Sequence, residues 1–141
     1  MKIIFESNDK NFLLKDNRRI KQWVEDTIRK EGKVRGQINF QFVESKEIKR
    51  INYKYLNHNY PTDIITFNKS FLNIISGDIY ICAGVVKKNT SEFSEKSFKN
   101  ELYRVIIHGI LHLLGYNDIK MKDIEIMRSK EDLYLYNLET F

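Results

Sequence analysis

The sequence predicts an α+β fold, a small mixed sheet of about four strands packed with about five helices, and three observations lead there. Short strand-like runs and longer helical ones follow one another in the order β-α-β-α-β-β-α-α-α. One segment, residues 97–114, is apolar round its whole barrel and therefore belongs at the centre of the molecule. The 141 residues contain no repeat, low-complexity tract or Pro/Ser linker, so a single domain over residues 1–141 is expected.

Residues 2–6 are β-branched and aromatic, as an opening strand requires. In residues 17–31, Ile20, Trp23, Val24, Thr27 and Ile28 recur at helical spacing, and Gly32 ends that helix. Residues 34–43 place Ile38, Phe40 and Phe42 on one face, a strand pattern. Ser45, with Glu47 and Ile48, opens a second helix to about residue 55, and residues 57–62 hold the only proline, Pro61, and form a loop. Residues 63–67 and 78–83 read as two strands separated by residues 68–77; being consecutive, they are expected to pair antiparallel. A helix can start at residues 85–88. The clearest helix is 97–114, where Phe98, Leu102, Val105, Ile106, Leu111 and Leu113 spread round the barrel and Gly115 supplies a left-handed stop. The last helix starts near residue 122, with Ile124, Met127 and Tyr134 near one side.

Composition excludes several classes. A 42% apolar content suffices for a core, 13% aromatics exclude disorder, and six Gly with one Pro exclude collagen. The one cysteine, Cys82, cannot form an internal disulfide or a cysteine-based zinc site; its apolar strand neighbours make it inert core, and its isolation points to a reducing compartment. No apolar run reaches the roughly 18 residues of a membrane span, and the first residues meet Glu6 before any signal-peptide stretch, so a soluble cytoplasmic protein is expected. Lys and Arg exceed Asp and Glu by six in residues 1–60, whereas residues 61–141 carry one more acid than base. Such a basic half either attracts a polyanion or is a set of solvated helix faces.

The chain's chemistry concentrates in His108-Gly-Ile-Leu-His112-Leu-Leu-Gly115-Tyr-Asn-Asp118. Four helical steps of about 100° return to nearly the same face, so His108 and His112 point one way, a two-toothed clamp for a metal. Gly115 turns the chain so that Asn117 or Asp118 doubles back, and Asp118 is the stronger candidate because it offers a charged, hard oxygen. The spacing is that of a zincin, except that Gly109 stands where a zincin peptidase has its glutamate base, which argues against peptide hydrolysis at this site. The bland alternatives are packed helix histidines or a zinc that only braces the fold. Three ligands with no obvious fourth leave a coordination position for water or substrate, which favours chemistry.

At these residues the sequence resembles the YbeY family of bacterial metal-dependent endoribonucleases. His108, Gly109, Leu111, His112, Leu113, Gly115 and Tyr116 match the family signature H-G-x-L-H-L-x-G-Y-D-H. Residues 51–67, from Ile51-Asn52-Tyr53 to Pro61-Thr62-Asp63-Ile64-Ile65-Thr66-Phe67, are similar to L-N-x-x-Y-R-x-x-D-x-P-T-D-V-L-S-F, and Gly77-Asp78-Ile79-Tyr80-Ile81 to G-D-I-x-I. The resemblance implies one zinc ion, single-stranded RNA as substrate, ribosomal RNA and the small ribosomal subunit as partners, and a role in ribosomal RNA maturation and ribosome quality control. It leaves the oligomeric state and the choice between water and a ribose 2′-hydroxyl as nucleophile open.

Two departures matter. Asp118 stands at the family's third zinc histidine, giving a His2Asp site of His108, His112 and Asp118 that should still bind zinc but as a weaker Lewis acid. Leu56 stands where the family usually has the arginine implicated in cleavage, and leucine cannot clamp a phosphate. His58, Lys54 or Arg104 are the candidates to replace it, with His58 the one proposed as catalytic. The rival expectation is a ribosome-associated assembly or binding protein with a mainly structural zinc. Among lesser candidates, Thr62 and Asp63 read as turn or strand-start residues or cleft lining, Asp78 as a strand-edge acid, Tyr116 as a packing residue before one that holds the ligand loop or stacks on a base, and Glu101 as a solvent-facing acid or a partner behind His108.

Overall fold

The computed structural model describes residues 1–90 and 94–141. Along the chain the elements are β1 (Ile3–Ser7), α1 (Asn17–Lys30), β2 (Val34–Phe42), α2 (Ser45–Leu56), β3 (Ile64–Asn68), β4 (Ile74–Ile81), α3 (Ala83–Asn89), α4 (Glu95–Leu113) and α5 (Met121–Leu138). The strands form one mixed sheet in the order β1-β2-β4-β3. Strand β2 runs parallel to both β1 and β4, and β3 pairs antiparallel with β4, Ile64 opposite Ile81 and Asn68 opposite Gly77. The α+β architecture and the expected element order are therefore what the molecule has.

The pleat divides the apolar residues between two faces. On one, Ile38, Phe40 and Phe42 of β2 and Ile79 and Ile81 of β4 pack with Ile20, Trp23, Val24 and Ile28 of α1 and with the apolar side chains of α4. On the other, Ile48 and Ile51 of α2 cover Val43, Ile65 and Cys82, with Phe67 and Tyr80 beside them. The outer face beyond α2 is polar. There Asp78 accepts hydrogen bonds from Asn39 Nδ2 at 3.0 Å and Lys69 Nζ at 2.7 Å, so it is an interior-strand acid rather than a strand-edge one.

Helix α4 is the central element. The sheet, α1 and α5 surround it, and Leu102, Val105, Ile106, Ile107, Ile110, Leu111 and Leu113 are all buried. Its close seat on the sheet depends on Gly109. A Cβ there would lie 2.9 Å from Ile64 Cδ1 and 3.3 Å from two atoms of Ile79, too close for ordinary packing. Helix α5 lies across α4, tied to α1 by a hydrogen bond from Trp23 Nε1 to the Tyr134 carbonyl at 2.7 Å. Among the described residues, no helix is long and apolar enough to cross a membrane.

Four further expectations need correction. Strand β4 begins at Ile74, inside the stretch 68–77 read as a connection, because Ser76 and Gly77, which look like a turn, lie in the strand where α4 presses on the sheet; a Cβ on Gly77 would meet Leu113 Cδ2 at 2.7 Å. Ala83 already belongs to α3, and α4 starts at Glu95, two residues before the expected start. There the Ser94 side chain accepts from the Ser97 N–H at 3.0 Å, a polar cap that apolar periodicity does not register. In α5 the buried line is Met127, Glu131, Tyr134 and Leu138, while Ile124 is nearly half exposed, because the first turn overhangs a groove instead of packing on α4.

Candidate metal centre

His108 and His112 project from the last turns of α4, their rings nearly perpendicular with centroids 4.5 Å apart. Beyond them the helix ends in a Schellman turn: the Gly115 N–H donates to the His112 carbonyl and the Tyr116 N–H to the Leu111 carbonyl, each at 3.0 Å. Gly115 has φ +101°, a left-handed conformation that a side chain would strain. The turn sends the following loop back over the two rings. Asp118 Oδ2 then lies 3.3 Å from His108 Nε2 and 3.4 Å from His112 Nε2, and the two Nε2 atoms are 2.9 Å apart.

These distances test whether the residues fit a metal. A tetrahedral ion with bonds of about 2.0–2.2 Å holds neighbouring ligand atoms roughly 3.3–3.5 Å apart. Two edges of the observed triangle fall in that range and the third is slightly short. Two nitrogens and one carboxylate oxygen are also a donor set that zinc accepts. Among the described residues, His108, His112 and Asp118 are the one group of three or more such side chains whose ligand atoms converge in this way.

The orientation of His108 is fixed from behind. Its Nδ1 donates to Glu131 Oε2 at 2.7 Å, which puts the ring proton on Nδ1 and leaves the Nε2 lone pair facing the site. Glu131 is 4% exposed, and its other oxygen accepts from Arg104 Nη1 at 2.9 Å. Arg104 also donates to Asp132 at 2.8 Å. Burial pushes the Glu131 carboxyl up, but its bonds to His108 and Arg104 outweigh burial and hold it below the usual carboxylate range. For His108, burial disfavours the charged ring, yet the Glu131 bond and charge reverse the balance and raise its pKa. Burial and the neighbouring His108 lower the pKa of His112, outweighing the opposing charge of Asp118.

The loop carrying Asp118 is anchored at a second, partly buried acid, Glu31, at the C-terminal end of α1. Its carboxylate accepts from the hydroxyls of Tyr116 and Tyr134 and from Lys130 Nζ. Burial raises the Glu31 pKa, and these three donors more than offset it, leaving the carboxyl below its ordinary value. Tyr116 thus packs against the core and anchors the ligand loop.

A groove of about 630 Å³ opens at His108 and Asp118, walled by Asp63 and Ile64 at the start of β3, Glu101 and Val105 of α4, and Met127 and Arg128 of α5. Asp63 lines the cleft, and its charge favours protonated His108. Glu101 also lines the groove, but the carboxylate behind His108 is Glu131, which the sequence reading missed. An acid on the otherwise apolar line of Met127, Tyr134 and Leu138 was the signal available for it. Of the candidates to replace an arginine at Leu56, Arg104 is held by Glu131 and Asp132, the Lys54 ammonium lies 5.2 Å over the Tyr55 ring, and the His58 ring stacks on Tyr60 at 5.3 Å. His58 is outside the converging group, and Leu56 itself is about half exposed.

Comparison with known proteins agrees with this geometry. The sequence model of a family described as Endoribonuclease YbeY matches residues 3–139. Proteins named Endoribonuclease YbeY include one from Azobacteroides pseudotrichonymphae, 40% identical over 99% of this chain and 100% of its own length. Another, from Flavobacterium johnsoniae, is 43% identical over 86% of each chain. The solution structure of TM1509 from Thermotoga maritima superposes with a TM-score of 0.66 at 32% identity, covering 97% of this chain and 87% of that one. A matched segment spanning nearly the whole chain, together with full-length relatives at this identity, shows that the chain belongs to the YbeY endoribonuclease family.

Proposed function

We propose that this protein is a zinc-dependent, single-strand-specific endoribonuclease of the cytoplasm, acting on ribosomal RNA of the small subunit in its maturation and quality control. One observation carries the reading: the convergence of His108, His112 and Asp118 at the head of a groove, with His108 oriented by Glu131. The groove has the volume of a small-ligand pocket. Family membership supplies RNA as the substrate class.

Zinc held by these three residues would supply Lewis acidity towards a phosphate oxygen or a nucleophile, tempered by the charge of Asp118. The chain's own groups do the rest. Glu131 holds a proton on His108 Nδ1 and so keeps Nε2 available, Arg104 keeps Glu131 ionised, and the Glu31 cluster sets the position of the loop that brings Asp118 in. Gly109 presents no base beside His108, and the contacts with Ile64 and Ile79 leave no room for one, which disfavours a peptidase. The test is cleavage of single-stranded RNA by the His112→Ala protein. Loss of cutting is expected; undiminished cutting means that the site is not catalytic.

A second reading, a ribosome-associated assembly protein with a mainly structural zinc, is favoured by one feature: Leu56 stands on the surface without a guanidinium, and Arg104 is already held in ion pairs. Leu56→Arg separates the two. A large gain in nuclease activity would assign the natural protein mainly to assembly, and little change would leave it a nuclease.

A further inference from the structure

Apart from the ion it would hold, the metal groove is acidic. Asp63, Glu101, Asp118, Glu125 and Glu131 line it against two cations, Arg104, held by Glu131 and Asp132, and Arg128, 3.7 Å from Glu131. If RNA is the substrate, much of its affinity comes from elsewhere, and α2 offers both of the interactions that bind single strands. Its outward face carries Lys46, Lys49, Arg50 and Lys54, all exposed, against a single acid, Glu47, which holds Arg50 through its Nε at 3.0 Å, so that the lysines supply the excess charge. Interleaved with them and just beyond stand Tyr53, Tyr55 and Tyr60, each with more than half of its surface exposed. So many exposed rings beside so many cations suit neither a protein core nor an ordinary solvated helix face.

The loop after α2 and the rings of Tyr55 and Tyr60 are held in place. Asn57 ends α2 in a left-handed conformation, φ 57°, and its N–H donates to the Tyr53 carbonyl at 3.0 Å. Asn52, 2% exposed, accepts at its carbonyl from the His58 N–H at 3.2 Å and donates from Nδ2 to the Tyr60 carbonyl at 3.0 Å. Within this loop His58 and Tyr60 lie nearly parallel, 11° apart, and the outer ring of such a pair has a face to offer a third. Tyr55 is braced edge-on against Phe67 at 5.2 Å, and Phe67 against Tyr80 at 5.9 Å. Three residues after Tyr60 comes Asp63, in the wall of the metal groove, a chain reach of at most about 11 Å.

We propose that the exposed face of α2 and the His58–Tyr60 stack form a platform on which bases of single-stranded RNA lie while its backbone tracks the α2 lysines, leading the strand into the metal groove. The proposal rests on the ribonuclease reading and adds where the substrate is held. Every base has a π face, so recognition here is tolerant of sequence but requires unpaired bases. His58 then binds substrate through its ring face, two positions from the missing arginine.

The test is fluorescence anisotropy of a labelled 2′-O-methyl oligouridylate of about ten nucleotides, the footprint of a modest single-strand site, with zinc-loaded protein. Wild type, Tyr55→Ala/Tyr60→Ala and Tyr60→Trp are compared, with zinc content and thermal midpoint measured on each. The double alanine variant is expected to bind roughly tenfold or more weakly, with zinc content unchanged, and Tyr60→Trp to retain binding. Lys49→Ala/Lys54→Ala should flatten the dependence of log Kd on log salt by about 0.7 for each phosphate that the variant no longer neutralises. Unchanged affinity in the double alanine variant overturns the platform, and continued cutting of single-stranded RNA by wild type would leave the nuclease reading standing. Wild type that binds the probe yet cuts no RNA supports the platform and removes the nuclease reading. Wild type that fails to bind the probe overturns the platform.

Discussion

Glu131 illustrates how much one side chain beyond the metal ligands decides. A carboxylate buried in a protein is costly unless charge and hydrogen bonds compensate, and here Arg104 on one oxygen and His108 on the other do so. Its amide replacement keeps the shape but loses the charge that supports the His108 proton. Glu131→Gln is therefore expected to weaken zinc binding about 10- to 100-fold, measured by competition with a chromophoric chelator. Wild-type affinity in that variant would mean that His108 needs no such support. Gly109 is the second such residue. Gly109→Ala places a methyl against Ile64 and Ile79 and should destabilise the fold by about 1–3 kcal/mol in urea denaturation. The two histidines and the glycine turn were legible from spacing alone, because a helix period and a left-handed stop are local rules. Glu131 was not, because its partner lies 23 residues away on another helix.

At the level of elements, the loop between α4 and α5 matters most, since it carries a ligand without regular structure. The Glu31 cluster ties it to α1, and Glu31→Gln should lower stability by about 1–3 kcal/mol and reduce zinc affinity by loosening Asp118. The same cluster has a pH signature. The Glu31 pKa is lower in the folded protein than the ordinary glutamate value of 4.5, so its contribution is fully present above the unfolded value and disappears as pH falls through the folded one. The difference in denaturation free energy between wild type and Glu31→Gln is accordingly expected to shrink below about pH 4.5; a constant difference down to about pH 3 would contradict it. Element boundaries were readable where polarity alternated, as in β2, and misleading where packing overrode local signals. Ser76-Gly77 looks like a turn yet lies in β4, a strand paired on both sides, where Phe67 and Leu113 leave no space for a Cβ on residue 77, and Ile124 has the period of a core residue yet overhangs the groove.

Across the whole molecule, α4 joins the two functions of the fold, since the helix that fills the core also presents the ligands at its end. Metal binding should therefore stabilise the fold as a ligand does, by an amount set by concentration over Kd. Removing zinc with EDTA is expected to lower the thermal midpoint of wild type and to leave that of His112→Ala unmoved. The order of elements and the mixed sheet followed from periodicity, whereas the approach of Asp118 and Glu131 to His108 from separate elements required the assembled fold.

The measurement that bears most directly on the metal centre is the zinc stoichiometry of purified, dialysed wild type beside Asp118→Ala. Close to one equivalent in wild type and a marked loss in the variant is the expected result. A full equivalent retained by Asp118→Ala, or none bound by folded wild type, would contradict the three-ligand centre.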